Sequence, residues 1–155
     1  MTEDELFARR PMGMRMAMVV RQWRSIIDHA ITDTGLTQSS WTVLMQLHQL
    51  GDNVSVSELA EMQGIELPPL MRTLTLLEQQ GYLQRTVSPY DKRIRLLTLT
   101  DEGRAVLKRL NQVIEAFQTR VANGIPADDI AKFSDTLNQI ACNLRNIREE
   151  NNKTD

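Results

Sequence analysis

The chain is poor in the residues that build reactive centres. Of its 155 residues one is cysteine and two are histidine, and aromatic residues make up 5%. A lone Cys142 excludes an intramolecular disulfide and fits a reducing compartment, where it packs as a small hydrophobe. Two histidines and one cysteine are too few for a His/Cys metal cluster. There is no Gly-rich phosphate loop and no G-x-S-x-G nucleophile elbow. The carboxylates sit on solvated helix faces, and nothing marks one pair as acid and base. The chain is therefore read as not an enzyme, with no catalytic residue, metal or cofactor. Long apolar runs are missing as well. The apolar stretch behind Arg9 and Arg10 is interrupted by Arg15 and Arg21, too broken for a signal peptide or a membrane span. A cytoplasmic protein without a membrane partner is expected. Charge of one sign is also lacking: the net charge of −2 argues against a generic polyanion binder.

What is present is periodicity. Apolar residues make up 41% of the chain, enough for one domain with a real core, spanning residues 1–155. Met1 to Ala8 is acidic and polar and reads as a frayed start. From Met12 the apolar residues Met12, Met16, Val19, Trp23, Ile26 and Ala30 recur in steps of four and three, widened by Val20, Ile27 and Ile31. That pattern predicts a long helix with one broad buried face, ending between Thr32 and Gly35. A second helix, capped by Thr37 or Ser39, buries Trp41, Val43, Leu44, Leu47 and Leu50 before Gly51-Asp52-Asn53 breaks it. Towards the other end, Thr100 caps a helix of about six turns carrying Val106 to Val121, stopped at Gly124 and Pro126. The last helix repeats Ile130, Phe133, Leu137, Ile140, Leu144 and Ile147 in steps of three and four. Both end helices exceed what a small domain needs to close its core. Residues 9–35 and 101–150 are therefore assigned to dimerisation, in a homodimer with interlocked termini.

Between them lies the segment around which the chain is organised. Val54-Ser55-Val56 reads as a very short strand added to a hairpin. A helix then starts at Ser55 or Ser57, where Ser55 and Glu58 have capping-box spacing, and ends at Gly64. The next helix opens at Pro68-Pro69, carries Leu70, Leu74 and Leu77 inward, and stops at Gly81. Two short helices joined by so tight a turn fit a helix-turn-helix. Tyr82–Val87 and Ile94–Leu99 then form a hairpin around Ser88-Pro89-Tyr90-Asp91-Lys92-Arg93. The expected architecture is mainly α with a small β-hairpin wing (α+β). It is a winged helix-turn-helix over residues 36–100, with long terminal dimerisation helices.

This arrangement points to double-stranded DNA. From Asp52 to Thr100 there are five basic residues, and four of them (Arg85, Lys92, Arg93, Arg95) belong to the hairpin. Such a local patch, doubled by a two-fold axis, can supply phosphate contacts despite the acidic total. Arg93 at the tip is placed to enter a minor groove, with Asp91 orienting it. Lys92, Arg95 and Arg85 are expected near phosphates. Arg72, one turn into the second helix, is placed for a base edge or for a salt bridge to a nearby carboxylate. Pro68, Pro69, Met71 and Thr73 share that helix start. Ser39 and Ser40 are candidates for a backbone phosphate, although capping alone would explain them. Trp23, His29, Trp41, Met45 and His48 are candidates to line a small-molecule pocket, although such stripes are more often plain core.

The same residues carry a family resemblance. Asp91-x-Arg93 followed by Leu99-Thr100 and Gly103 resembles the wing signature of the MarR-type transcriptional regulators. Val20-Arg21-Gln22-Trp23-Arg24, Ile27-Asp28-His29, Leu36-Thr37-Gln38, Trp41, Gly64-Ile65-Glu66 and Leu70-x-Arg72-Thr73-Leu74 resemble the SlyA-like branch. The resemblance runs from Val19 to the end of the chain. It implies a winged-helix dimer on pseudo-palindromic DNA, with a small aromatic carboxylate as effector. One departure is Leu67-Pro68-Pro69 at the start of the second helix, where relatives usually carry Gln or Ser able to contact bases. The alternatives are a winged-helix protein-interaction module and a ligand-binding dimer without DNA function.

Overall fold

A short helix opens the chain: α1, Glu3–Ala8. The acidic start expected to fray is instead locked by a capping box. The Thr2 hydroxyl accepts the Glu5 N–H, and the Glu5 carboxylate accepts the Thr2 N–H at 2.8 Å. α2 (Met12–Ala30) follows, then a 3₁₀ turn over Thr32–Thr34 that closes on Gly35 at φ 69°. α3 (Gln38–Leu50) is capped by Thr37. β1 (Val54–Ser55), α4 (Val56–Gln63), α5 (Leu67–Gln79), β2 (Leu83–Val87) and β3 (Arg95–Leu99) come next. α6 (Asp101–Val121) and α7 (Ala127–Asn152) complete the chain. The computed structural model describes residues 1–153. These form two units, residues 1–115 and the residues from Ala116 on, divided within α6.

The first unit holds the core. Leu44 and Leu47 of α3, Leu59 of α4, Leu70, Leu74 and Leu77 of α5, and Leu83 and Leu97 of the sheet are buried together with Leu110 of α6. The sheet is antiparallel in the order β1-β3-β2, pairing Val54 with Leu97, Leu83 with Leu99 and Val87 with Arg95. Partners across an antiparallel pair share a face, so Leu83 and Leu99 press on the core at the base of the hairpin while its tip runs free. Gly103 fixes how α6 leaves the sheet. A Cβ there would lie 2.0 Å from the Tyr82 carbonyl oxygen, so only glycine lets the helix start this close. The Thr100 hydroxyl accepts the Gly103 N–H at 3.0 Å and donates to the Gly81 carbonyl at 2.6 Å. The cap expected at Thr100 is thus also a tie to the end of α5.

The broad face predicted as buried on α2 is open to solvent in the single chain. Val19, Val20 and Ile26 are about half exposed, and within α2 only Ile27 is buried, joined by Ile31 just past its end. The side of α2 that meets the core is the edge of the predicted stripe, because the helix is turned so that the stripe's centre faces outward. In the second unit α7 has no fully buried residue. Its seam is open too, with Phe133 65% and Leu144 59% exposed.

Candidate nucleic-acid interface

The helix pair is built as its local sequence dictates. Ser55 and Glu58 close the expected capping box: the Ser55 hydroxyl accepts the Glu58 N–H at 3.1 Å, and Glu58 returns the bond to the Ser55 N–H at 2.8 Å. Those bonds hold the Glu58 carboxyl below its ordinary 4.5, the Ser55 backbone N–H contributing most. Gly64 ends α4 in the left-handed region at φ 61°. α5 starts at Leu67, directly before the proline pair, with Glu66 as an N-cap whose side chain makes no capping bond. Pro68 and Pro69 occupy the first turn. Leu70, Leu74 and Leu77 face the core, which leaves Pro68, Pro69, Met71 and Arg72 exposed. Arg72 has no ion-pair partner among the described residues, so the carboxylate bridge considered for it is not formed. Thr73 is half-buried and donates its hydroxyl to the Pro69 carbonyl at 3.3 Å.

The wing tip is a shaped loop. Ser88, 7% exposed, accepts the N–H groups of Tyr90 (3.2 Å) and Asp91 (3.3 Å) with its hydroxyl. Its own N–H donates to the Ile94 carbonyl at 3.0 Å. Asp91 in turn grips Arg93. One carboxylate oxygen accepts the backbone N–H (2.9 Å) and Nε (3.1 Å), the other accepts Nη2 (3.0 Å). The guanidinium therefore has a fixed orientation although its side chain is 91% exposed. The pair holds the Asp91 carboxyl below its ordinary 3.8, through the Arg93 side chain first and its backbone N–H second, and raises Arg93. Arg95 donates to the Lys92 carbonyl at 2.9 Å, and both residues stay exposed beside Arg93.

Two candidates lie elsewhere. Arg85 pairs with Glu78 of α5 and donates to the Thr75 hydroxyl at 3.3 Å. The reason is the period of two along β2: Arg85 shares the face of buried Leu83, so it points at α5 and not outward. Ser40 is 1% exposed and its N–H goes to the Thr37 hydroxyl at 3.4 Å, so it is a core and cap residue out of reach of a phosphate. Ser39 beside it remains exposed.

The five residues considered for a pocket are not collected around the cleft that α2, α3, α4 and α5 enclose. Trp41 donates its indole N–H to Asn111 at 2.8 Å, His29 and His48 are exposed, and Trp23 and Met45 are half-buried. The cleft, about 360 Å³, is lined instead by Arg24, Gln38, Thr42, Gln46, Gln63 and Thr73 among others. Buried amide atoms of Gln38, Gln46 and Gln63 have no protein partner among the described residues. Ser88, Glu78, Arg24 and these glutamines neighbour the candidate residues in the structure, and their placement there is not read from the sequence. Only Ser88 carried a signal, as a Ser-Pro turn starter. Among the described residues no group of three or more His, Cys, Asp and Glu could hold a metal ion, and no helix is long and apolar enough to cross a membrane.

A family model described as the MarR family matches residues 34–94. The solved structure of the transcriptional regulator PA3341 is 30% identical with a TM-score of 0.76, covering 88% of this chain and 99% of that one. The transcriptional repressor CouR, bound to a 23-mer DNA duplex, is 27% identical with a TM-score of 0.80, over 91% and 98% of the two chains. A mutant MarR from E. coli complexed with operator DNA is 23% identical, with a TM-score of 0.78 over 84% and 93%, a likeness of fold.

Proposed function

The chain belongs to the MarR family of transcriptional regulators, and we propose that it works as a homodimer on a pseudo-palindromic DNA operator, in the SlyA-like manner its motifs resemble. The family is one of regulators and not of enzymes. The observation that carries the reading is the wing tip: an exposed arginine held by three hydrogen bonds to one aspartate, at the end of a hairpin that follows a helix-turn-helix. Residues 36–100 are the reading part. α5 enters a major groove, and Arg93 reaches the flanking minor groove. Lys92 and Arg95 at the wing meet phosphates, and Ser39 at the start of α3 meets the DNA backbone. CouR, 27% identical, is seen on a DNA duplex, which supports the same use here.

The homodimer rests on two open apolar faces, one on α2 and one on α7, which a second copy would cover; residues 9–35 and 101–150 are its dimerisation part. Half-site centres then lie about one helical turn, ~10 bp, apart. The effector in this reading is a small aromatic carboxylate. The cleft, of a volume ordinary for ligand sites, combines Arg24 for a carboxylate with apolar Val43, Met62, Ile65 and Leu70 for a ring, and suits it better than the cluster of Trp23, His29, Trp41, Met45 and His48.

The test is selection of bound sequences from a random duplex pool at fixed salt, with wild type and Arg93→Ala in parallel. A pseudo-palindrome recovered by wild type and weakened in the variant is the expected result. Recovery of nothing above background would leave a protein-interaction module.

A further inference from the structure

The start of α5 presents an unusual surface for a helix in a DNA groove. With Leu70, Leu74 and Leu77 buried, the helical repeat sets Pro68, Arg72, Thr75 and Gln79 on the opposite face, with Pro69 and Met71 flanking them. In the first turn and a half, Arg72 is the only outward side chain able to donate hydrogen bonds to a base edge. Thr73 has turned its hydroxyl to the Pro69 carbonyl. The two prolines also remove two of the N–H groups with which a helix start otherwise holds a phosphate. What remains is an apolar surface, rigid at its two prolines, around one guanidinium.

The apolar feature that the major groove offers is the thymine C5-methyl group. Proline has no rotamer freedom to lose on contact, so packing it against such a group is inexpensive in entropy. Resting on the DNA-binding reading above, we infer that α5 reads its half-site chiefly through thymine methyl groups. Pro68 and Met71 pack on thymines that flank a base pair whose guanine Arg72 addresses. The class of site is thus thymine-rich around one guanine, recognised by shape more than by hydrogen bonds.

Deoxyuracil tests this directly, because it removes the methyl and leaves the pairing edge unchanged. Single thymine-to-deoxyuracil replacements are made through one half-site of the duplex that wild type recovers from the random pool. At the contacted positions affinity falls about fourfold each, the value of one buried methyl group. In a Pro68→Ala, Met71→Ala variant the thymine and uracil duplexes bind alike. Replacements that are neutral everywhere in wild type overturn the inference, and so does a uracil penalty that persists unchanged in the double variant. If wild type recovers no duplex at all, the DNA-binding reading falls and this one with it.

Discussion

Gly103 occupies a place where no side chain fits. The obstacle to a Cβ is the Tyr82 carbonyl oxygen, main chain that cannot swing aside. Gly103→Ala therefore forces α6 away from the sheet, and a loss of about 2 kcal/mol or more is expected in urea unfolding. An unchanged midpoint would show that the helix start yields freely. Asp91 is the opposite kind of residue, exposed and acting through charge and geometry. Its carboxyl titrates below 3.8 because Arg93 donates to it. The sign follows: the hold on Arg93 is complete above that ordinary value and is lost as pH falls through the lowered one. Asp91→Asn keeps the size but removes the charge, so the guanidinium gains freedom and DNA affinity falls at neutral pH. Affinity titrations of both proteins on one duplex check it, and equal affinity would mean that Arg93 needs no holder.

At the scale of elements, the wing and α5 divide their cations between two tasks. Arg85 ties β2 to Glu78, a half-exposed pair worth at most about 1 kcal/mol, whereas Lys92 is an exposed charge at the tip. Lys92→Ala is expected to lower the slope of log affinity against log salt by about 0.9, one phosphate contact. Arg85→Ala leaves that slope alone and lowers stability. Equal slopes in the two variants would return Arg85 to the interface. Much of this was legible in the sequence, because local rules decided it. Ser55 and Glu58 cap α4 as their spacing demands, Gly64 takes the left-handed turn, and Asp91 meets Arg93 across two residues. The α1 cap obeys the same rule, since Thr2 and Glu5 repeat the Ser55–Glu58 spacing, although the acidic, polar composition of the segment points the other way. What could not be read depended on which face of an element meets its neighbour. Arg85, Ser40 and the outward stripe of α2 all turn on that. The glutamines of the cleft come from α3 and α4, and only the packed structure brings them together.

At the scale of the whole molecule, the open face of α7 sets the last expectation. Phe133, Leu144 and Ile147 are each more than half exposed and Leu137 is 43% exposed, along one face of the helix that half-buried Ile140 interrupts. A stripe of that length left to water is the mark of an interaction surface. In a homodimer it would be covered by the same stripe of a second copy. Phe133→Asp with Leu144→Asp adds charge where the single chain has solvent, so the variant should keep its fold while losing its partner. Sedimentation at micromolar concentration is expected to give a dimer for wild type and a monomer for the variant. The melting temperature should rise with protein concentration for wild type only. On DNA, a monomer has one reading unit and occupies one half-site, so the variant is expected to lose the preference for two half-sites in register that is expected of the dimer. A monomeric wild type would remove the two-fold axis and with it the palindrome. A variant that stays dimeric would move the dimer contact away from α7, towards the apolar face of α2.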